Sequence, residues 1–227
     1  MKSKALNVFF HFHPFKPFLL ENTTKIIVGT LPPPRFCSED FKEKDVNFCY
    51  GSCDNLLWPC LEKIYNQTWK YDNSEEAILQ RKEFLIQNRI GICDIVDSCK
   101  REKIDASDIG MSEIILRDIL GYLKQYQNIN TLILTGGNSK NGPEYFLRKI
   151  LKENNIKYHI LSMQIPKVHQ FIFQDRIIRT ISLTSPSNAA NRYIGSNTLY
   201  KQNKQQNPSY TTFDFRVQQY EKVFKEI

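Results

Sequence analysis

Three short loops of this 227-residue chain carry polar side chains that could act on a ligand. They are Gly29-Thr30-Leu31-Pro32-Pro33, Tyr50-Gly51-Ser52-Cys53-Asp54-Asn55-Leu56-Leu57-Trp58 and Thr184-Ser185-Pro186-Ser187-Asn188-Ala189. Amide, hydroxyl and carboxylate groups on rigid loops can position a water molecule and donate hydrogen bonds to a leaving group. An aromatic ring such as that of Tyr50 adds a stacking surface. Taken singly, each loop is only a weak signal for a particular chemistry.

Other kinds of site lack their sequence signatures. No pair of the six cysteines has the C-x2-C spacing of structural zinc, so we expect mostly buried, reduced thiols, no metal and no cofactor. An iron–sulfur cluster stays open at Cys49, Cys53 and Cys60, because such clusters need about four thiolates close together. No G-x-G-x-x-G or Walker-type glycine pattern follows a strand, which weakens a nucleotide-binding enzyme as an alternative.

The charge of the chain favours a polyanionic partner. There are 31 Lys and Arg residues against 24 Asp and Glu, which gives a net charge of +7. This excess is typical of proteins that bind nucleic acid or an anionic membrane, but Lys-rich proteins of AT-rich genomes carry it without such a partner. The positions of the charges must therefore decide.

Composition and apolar patterning predict the class of protein. With 12% aromatic residues and no repeat, the chain is not collagen-like, coiled-coil or largely disordered. No apolar run approaches the roughly 18 to 20 residues that span a bilayer, and Met1-Lys2-Ser3-Lys4 leads into aromatic residues, unlike a signal peptide. We expect one soluble, cytoplasmic domain over residues 1–227 with no membrane partner.

The elements that must hold the loops alternate between strands and helices. Apolar runs predict strands at residues 25–28, 131–134, 158–161 and 177–183. Helical spacing predicts helices at 55–65, 75–88, 112–123 with Ser112 as its cap, from Pro143 onward, and 213–224. Residues 35–54 and 201–208 are expected to be loops. The alternation predicts a three-layer α/β/α sandwich with a central, mostly parallel four-stranded sheet, on which an arm (1–24) and a C-terminal helix (within 209–227) pack.

The predicted topology also says where the loops should lie. In such sheets ligands bind at the carboxyl ends of the strands. Residues 29–34, 136–138 and 184–191 each follow a predicted strand, so they should meet at one edge. Cationic side chains in predicted loops at the same edge could contact DNA phosphates. They are Arg35, Lys42, Lys44, Lys140, Lys167, His169 and Arg192.

In this order and at these places, the three motifs resemble those of the uracil-DNA glycosylase superfamily, particularly its mismatch-specific and hypoxanthine-type branches. The segment from Gly91 to Arg101 is similar too, so the resemblance spans roughly residues 25–192. It implies a monomeric, metal-free, monofunctional DNA glycosylase that acts on duplex or single-stranded DNA. Such an enzyme hydrolyses the bond between a damaged, deaminated or modified base and deoxyribose, and it leaves an abasic site. Uracil, hypoxanthine and modified cytosine all stay open as the base.

The resemblance assigns roles to individual residues. Tyr50 would stack on the flipped base. The mismatch-specific branch positions water with a polar residue of the first motif, where this chain has Leu31. The hypoxanthine-type branch uses the asparagine three residues before the tryptophan, which is Asn55 here. Asn55 could instead only cap the next helix, and Asp54 is the second candidate.

The remaining implied contacts fall into two groups. The base-binding residues are Gly29, Thr30, Leu31, Pro32, Asn138 and Ser187, although Asn138 could equally be a turn residue. The further DNA-binding residues are Ser185 and Pro186, which pinch the phosphates, and Asn188, Asn191 and Arg192, which fill the gap left by the base.

Two alternatives stay open beside repair. The same chemistry could excise modified bases from phage DNA as a defence. Leu31 in the first motif could also mark a catalytically silent DNA-binding module.

Overall fold

The computed structural model describes residues 8–225. Residues 1–7 of the predicted N-terminal arm and residues 226–227 at the predicted C-terminal helix lie outside the described residues. The strands of the described range are β1 Phe9–Phe12, β2 Lys25–Val28, β3 Ile90–Ile92, β4 Val96–Arg101, β5 Met111–Leu116, β6 Thr131–Leu134, β7 His159–Ser162, β8 Lys167–Phe173 and β9 Arg176–Ser182. The α-helices are α1 Leu57–Tyr65, α2 Glu75–Gln87, α3 Ile119–Gln125, α4 Pro143–Glu153, α5 Asn191–Ser196, α6 Thr198–Gln206 and α7 Thr212–Lys225.

A six-stranded sheet forms the centre of the molecule, in the order β3-β2-β6-β9-β8-β7. The first four strands run parallel, whereas β8 and β7 are antiparallel to their neighbours. The predicted α/β class with a mostly parallel central sheet is therefore confirmed, but the predicted count of four strands is wrong. The two unpredicted strands, β3 and β8, lack a continuous apolar run. β3 has only three residues with a glycine in the middle, and β8 interrupts its apolar residues with Lys167, His169 and Gln170.

Alternate residues of the central strands face opposite sides of this sheet, as strand geometry requires. On one side Ile27 and Ile133 pack with α1, α2 and α7 around the buried Trp58. On the other side Ile26 and Leu132 pack with α3 and α4. The two apolar clusters fix the sheet between helical layers, so the loops at its carboxyl edge start from rigid ends.

A second, three-stranded antiparallel sheet has the order β1-β4-β5. It overturns the predicted helix at 112–123, because residues 111–116 pair with β4 and the helix begins only at Ile119. Ser112 donates to the Lys100 carbonyl across the two strands, and Asp118 caps the helix instead. The β-branched pair Ile114 and Ile115 suits a strand once a partner strand is present.

The last third of the chain is more helical than its composition suggests. The predicted loop at 201–208 is wrong, because α6 extends to Gln206 and the Asn197 side chain accepts hydrogen bonds from its first turn. The predicted helix at 213–224 is present as α7, which buries Phe215, Tyr220 and Phe224. No helix within residues 8–225 is both long and apolar enough to cross a membrane.

Candidate active site

A cavity of about 680 Å³ opens at the carboxyl edge of the central sheet. The loops after β2, β6 and β9 supply much of its wall, and residues 50–52, 54–55, 94 and 106–109 complete it. The three chemistry-bearing loops therefore lie around one space. Parallel β2, β6 and β9 bring the first and third loops together with the loop after β6, because their carboxyl ends point the same way. The second loop follows no strand and reaches the cavity through backbone contacts with the third loop.

Most of the residues predicted for the site line this cavity. They are Gly29, Thr30, Leu31, Pro32, Arg35, Tyr50, Asp54, Asn55, Lys140, Ser185, Pro186 and Ser187. Four others do not line it. Asn138 is exposed on the loop after β6, Asn188 is exposed within the third loop, and Arg192 is exposed beyond it. The amide oxygen of Asn191 accepts from Arg216 Nη1 at 2.9 Å.

One predicted phosphate contact is wrong. The His169 side chain is fully buried in β8, where its ring stacks on Tyr158 with 4.6 Å between ring centroids. Its Nε2 atom lies 3.0 Å from Arg148 Nη2. The strand β8 was missed from the sequence, and the histidine was therefore assigned to a loop.

Tyr50 and Gly29 meet at the floor of the cavity. The Tyr50 hydroxyl lies 3.0 Å from Thr135 Oγ1, at the end of β6. A Cβ atom on Gly29 would lie 2.2 Å from the same hydroxyl, so only glycine fits beside it. Burial, followed by the negative charge of Asp94, raises the pKa of Tyr50 well above its usual value. The phenol therefore stays neutral and can present its ring to a ligand.

Asp94 holds the first loop from below. Its two oxygens accept from Gly29 N at 3.0 Å and from His13 Nε2 at 2.9 Å. Burial would raise the pKa of this carboxyl, but the hydrogen bond and charge of His13 and a hydrogen bond from Tyr50 lower it below its usual value. Sequence reasoning placed His13 in an arm without chemistry and gave Asp94 no role, although Asp94 lies in the segment that carries the resemblance.

A buried carboxylate, Asp45, organises the 35–54 loop. It accepts two hydrogen bonds from Arg35, at 2.7 and 2.9 Å, and one from Cys53 N at 2.8 Å. Burial opposes ionisation, but these hydrogen bonds lower the pKa of Asp45 below its usual value. Arg35 also donates to Ser52 Oγ at 2.8 Å. Arg35, which was predicted as a DNA contact, thus stabilises the loop that carries Tyr50 and Asn55 through these hydrogen bonds.

Asn55 and Asp54 differ sharply in their surroundings. The Asp54 side chain is 57% exposed and lies 2.7 Å from Lys42 Nζ, at the rim of the cavity. Asn55 Oδ1 accepts from Leu57 N at 2.9 Å, where α1 begins. An amide oxygen has two lone pairs, so this oxygen keeps one for a water molecule. The N-cap residue of α1 is Leu56, so Asn55 is not itself the cap, and its hydrogen bond from Leu57 N leaves an acceptor for water.

The second and third loops are joined through their backbones. Asn55 and Ser187 form an isolated antiparallel bridge, and Leu56 N donates to the Pro186 carbonyl at 2.9 Å. The candidate water-binding side chain and the serine hydroxyl therefore share one wall of the cavity.

Helix α7 anchors the third loop from behind. The buried Arg216 donates to the carbonyls of Ser185, at 3.0 Å, and Ser187, at 2.8 Å. Thr184 is held by both of its backbone groups: its N–H donates to Gln219 Oε1 at 2.6 Å and its carbonyl accepts from Tyr220 at 2.7 Å. Sequence reasoning missed these anchors, whose only signal is polar groups recurring at i, i+3 and i+4 on a helix with buried aromatic residues.

A further carboxyl, that of Asp108, lines the cavity from the loop between β4 and β5. Its Oδ1 atom accepts from Thr30 Oγ1 at 2.8 Å. Burial is the main cause that raises the pKa of Asp108 to about 6. No sequence motif pointed to this residue.

All six cysteines are free thiols, and four of them are buried. Within residues 8–225, no three side chains of the His, Cys, Asp and Glu types come together as metal ligands would.

Comparison with solved structures identifies the fold. The chain matches the solution NMR structure of a "putative Uracil DNA glycosylase" from Methanosarcina acetivorans with a TM-score of 0.52 and 16% sequence identity. The match covers 92% of this chain and 99% of that one. The two proteins share a fold. No protein-family model matches the chain, and no curated protein matches it.

Proposed function

We propose that this protein is a monofunctional DNA glycosylase of the uracil-DNA glycosylase superfamily. It would hydrolyse the N-glycosidic bond of a damaged, deaminated or modified base and leave an abasic site. The observation that carries the proposal is the pairing of Asn55 with Ser187 on one wall of a cavity whose floor holds Tyr50. The fold shared with a protein of that name supports it.

The residues of the cavity suit the demands of this reaction. Cleavage of the bond creates an oxocarbenium-like sugar and a departing base anion, so the site needs an oriented water and donors toward the base. Asn55 Oδ1, with one lone pair free, would orient the water. Tyr50, fixed by Thr135, would stack on the base, and Ser187 would donate to the nucleotide.

The base must leave the duplex to reach this cavity, which costs a few kcal/mol. Asn188, in the third loop, and Arg192, just after it, are exposed and would fill the gap. Asn191 would instead support the loop through Arg216. Lys140, exposed at the cavity, would contact phosphate, as the net charge of +7 favours. Action by a monomeric, single-domain protein in the cytoplasm stays a prediction.

One observation favours a second candidate, a DNA-binding module without catalysis. Leu31, at the position of the water-positioning residue in the mismatch-specific branch, packs against the apolar cluster around Ile26 and Leu132. The first loop therefore offers no side chain for water at that position.

A single-turnover assay tests the proposal. End-labelled duplexes and single strands would carry uracil, hypoxanthine, thymine opposite guanine, or hydroxymethyl- and glucosyl-hydroxymethylcytosine, and alkali would reveal abasic sites. We expect cleavage at one of these bases and a rate about 10²- to 10³-fold lower for Asn55→Ala. The control is Asn73→Ala, an exposed asparagine that does not line the cavity.

The outcomes separate the two candidates. Full activity of Asn55→Ala would refute the role of Asn55. Silence of the wild type on every substrate, with binding to abasic DNA intact, would favour the binding module. Cleavage confined to the modified cytosines would favour excision from phage DNA over repair.

A further inference from the structure

Asp108 brings a carboxyl to the cavity from a loop that none of the three motifs contains. The residue begins the 3-10 turn Asp108–Gly110 between β4 and β5. Its side chain is tied to the first loop by Thr30, at 2.8 Å, and its carbonyl accepts from Asn141 Nδ2, after β6, at 2.9 Å. The carboxyl is therefore held at a fixed place between two loops of the site.

One oxygen of this carboxyl accepts no hydrogen bond from residues 8–225. Thr30 donates to Oδ1, and the carboxyl accepts no other hydrogen bond from the described part of the chain. Asp108 lines the cavity, so its free acceptor sites face a ligand or water there. A partly buried carboxyl with unpaired acceptors lowers the stability of the fold, and such groups are concentrated at functional sites.

The position of Asp108 also bears on the first loop, where Leu31 offers no polar side chain for water. Thr30, which holds Asp108, is the neighbour of Leu31 in the first loop. The polar group that Leu31 cannot supply is thus delivered to the same loop from residues 102–110. Asn55 approaches the cavity from the second loop.

We propose, resting on the glycosylase function proposed above, that Asp108 is a second catalytic residue, whose carboxylate stabilises the cationic sugar and accepts a proton from the attacking water. The C1′–N bond breaks and its electron pair leaves with the base. The water oxygen bonds to C1′, one water proton passes to Asp108, and the base anion takes a proton from solvent. Asn55 orients the same water.

The charges around Asp108 set the pH range in which it can act. Burial raises its pKa to about 6, the Thr30 hydrogen bond and the Arg101 cation oppose the rise, and the Asp94 carboxylate adds to it. The group is therefore ionised at pH 8 and protonated below pH 6. The catalysed rate should rise with pH through about 6.

The first test needs no knowledge of the base. Two duplexes would carry an abasic-site analogue, one a cationic pyrrolidine and the other a neutral tetrahydrofuran. At pH 8 we expect the wild type to prefer the pyrrolidine duplex, and Asp108→Asn to lose about tenfold of that preference because a charge-assisted contact is gone. The control is Glu102→Gln, which removes the same charge from an exposed position of the same loop.

The second test is the single-turnover rate on the substrate that the wild type cleaves. Asp108→Asn should lower the rate about 10²-fold and abolish its rise through pH 6, while Glu102→Gln keeps both. The substitution removes a partly buried carboxylate whose pKa is raised in the folded protein, so the melting temperature at pH 8 should not fall. An unchanged melting temperature would exclude misfolding as the cause.

The results distinguish this inference from the proposed function. An unchanged rate and an unchanged pyrrolidine preference in Asp108→Asn would overturn the inference and leave the glycosylase intact. A changed choice of base with an unchanged preference would also overturn it, because Asp108 would then read the base. Loss of the preference without any turnover by the wild type would support the placement of Asp108 and overturn only the glycosylase.

Discussion

Arg216 provides a direct test of how the third loop is held in place. The proposed change is Arg216→Met, which keeps the length and apolar stem of the side chain but removes its donors. Ser185 and Ser187 would lose the donors to their carbonyls, and Asn191 would lose the donor to its amide oxygen. All three partners belong to the third loop or to the start of α5. One substitution therefore removes the hydrogen bonds that hold the third loop against α7.

The expected loss of stability follows from two opposing effects. Each hydrogen bond from a charged donor contributes about 1.5–3 kcal/mol. Against this, the guanidinium is fully buried, and no carboxylate among residues 8–225 pairs with it. Burial accordingly lowers the pKa of Arg216. Removal of the charge recovers several kcal/mol of desolvation, so we expect a net loss of about 2–4 kcal/mol in the free energy of unfolding.

Urea unfolding at pH 7 measures this loss, and the melting temperature should fall by roughly 5–15 °C for a chain of this size. The matched control is Lys222→Met, which removes one cation from an exposed position of the same helix. Binding to abasic DNA should weaken with Arg216→Met alone, because Ser187 and its bridge to Asn55 lose their support. Stability within about 0.5 kcal/mol of the wild type would refute the reasoning.

Two further predictions concern the floor and the rim of the cavity. Gly29→Ala places a Cβ atom 2.2 Å from the Tyr50 hydroxyl, so we expect a loss of about 1–3 kcal/mol by urea unfolding, whereas Gly195→Ala, with open space around its Cβ, should lose nothing. Equal stability of the two variants would contradict the packing described for Tyr50. Asp45→Asn breaks a buried pair with Arg35 and should cost about 3 kcal/mol at pH 7. Because folding lowers the pKa of Asp45, its contribution is present above the unfolded pKa of about 4 and fades as pH falls below it, so a difference from wild type that stays constant down to pH 3 would argue against this role.

The parts of the fold that the sequence predicted are those with local signals. The strands β2 and β6 are continuous apolar runs, and α4 begins at a proline in its first turn. The meeting of the loops after β2, β6 and β9 follows from the parallel order, whereas the 50–58 loop is joined to them by contacts that the order does not predict. The strand β5 was mistaken for a helix because its isoleucines fit either state, and only pairing with β4 decides between them.

In the candidate site, too, residues with a local sequence signal differ from residues placed only by long-range contacts. Tyr50, Asn55 and Ser187 belong to short motifs that can be recognised along the chain. Asp108 and Arg216 reach the site from residues outside the motifs, and their roles depend on contacts 78 residues away for Asp108 and 25 to 31 residues away for Arg216. Such contacts leave no periodic pattern, so only the folded chain reveals them.

The bridge between Asn55 and Ser187 has a consequence for how this protein could change its specificity. The second and third loops are joined by main-chain atoms, including Leu56 N and the Pro186 carbonyl, and every residue type but proline supplies the same donor. Side chains that line the cavity can therefore be substituted without loss of the backbone contacts between the two loops. For the proposed glycosylase, single substitutions at Asp54, Ser185 or Ser187 would alter the lining of the cavity while the backbone contacts between the loops are kept.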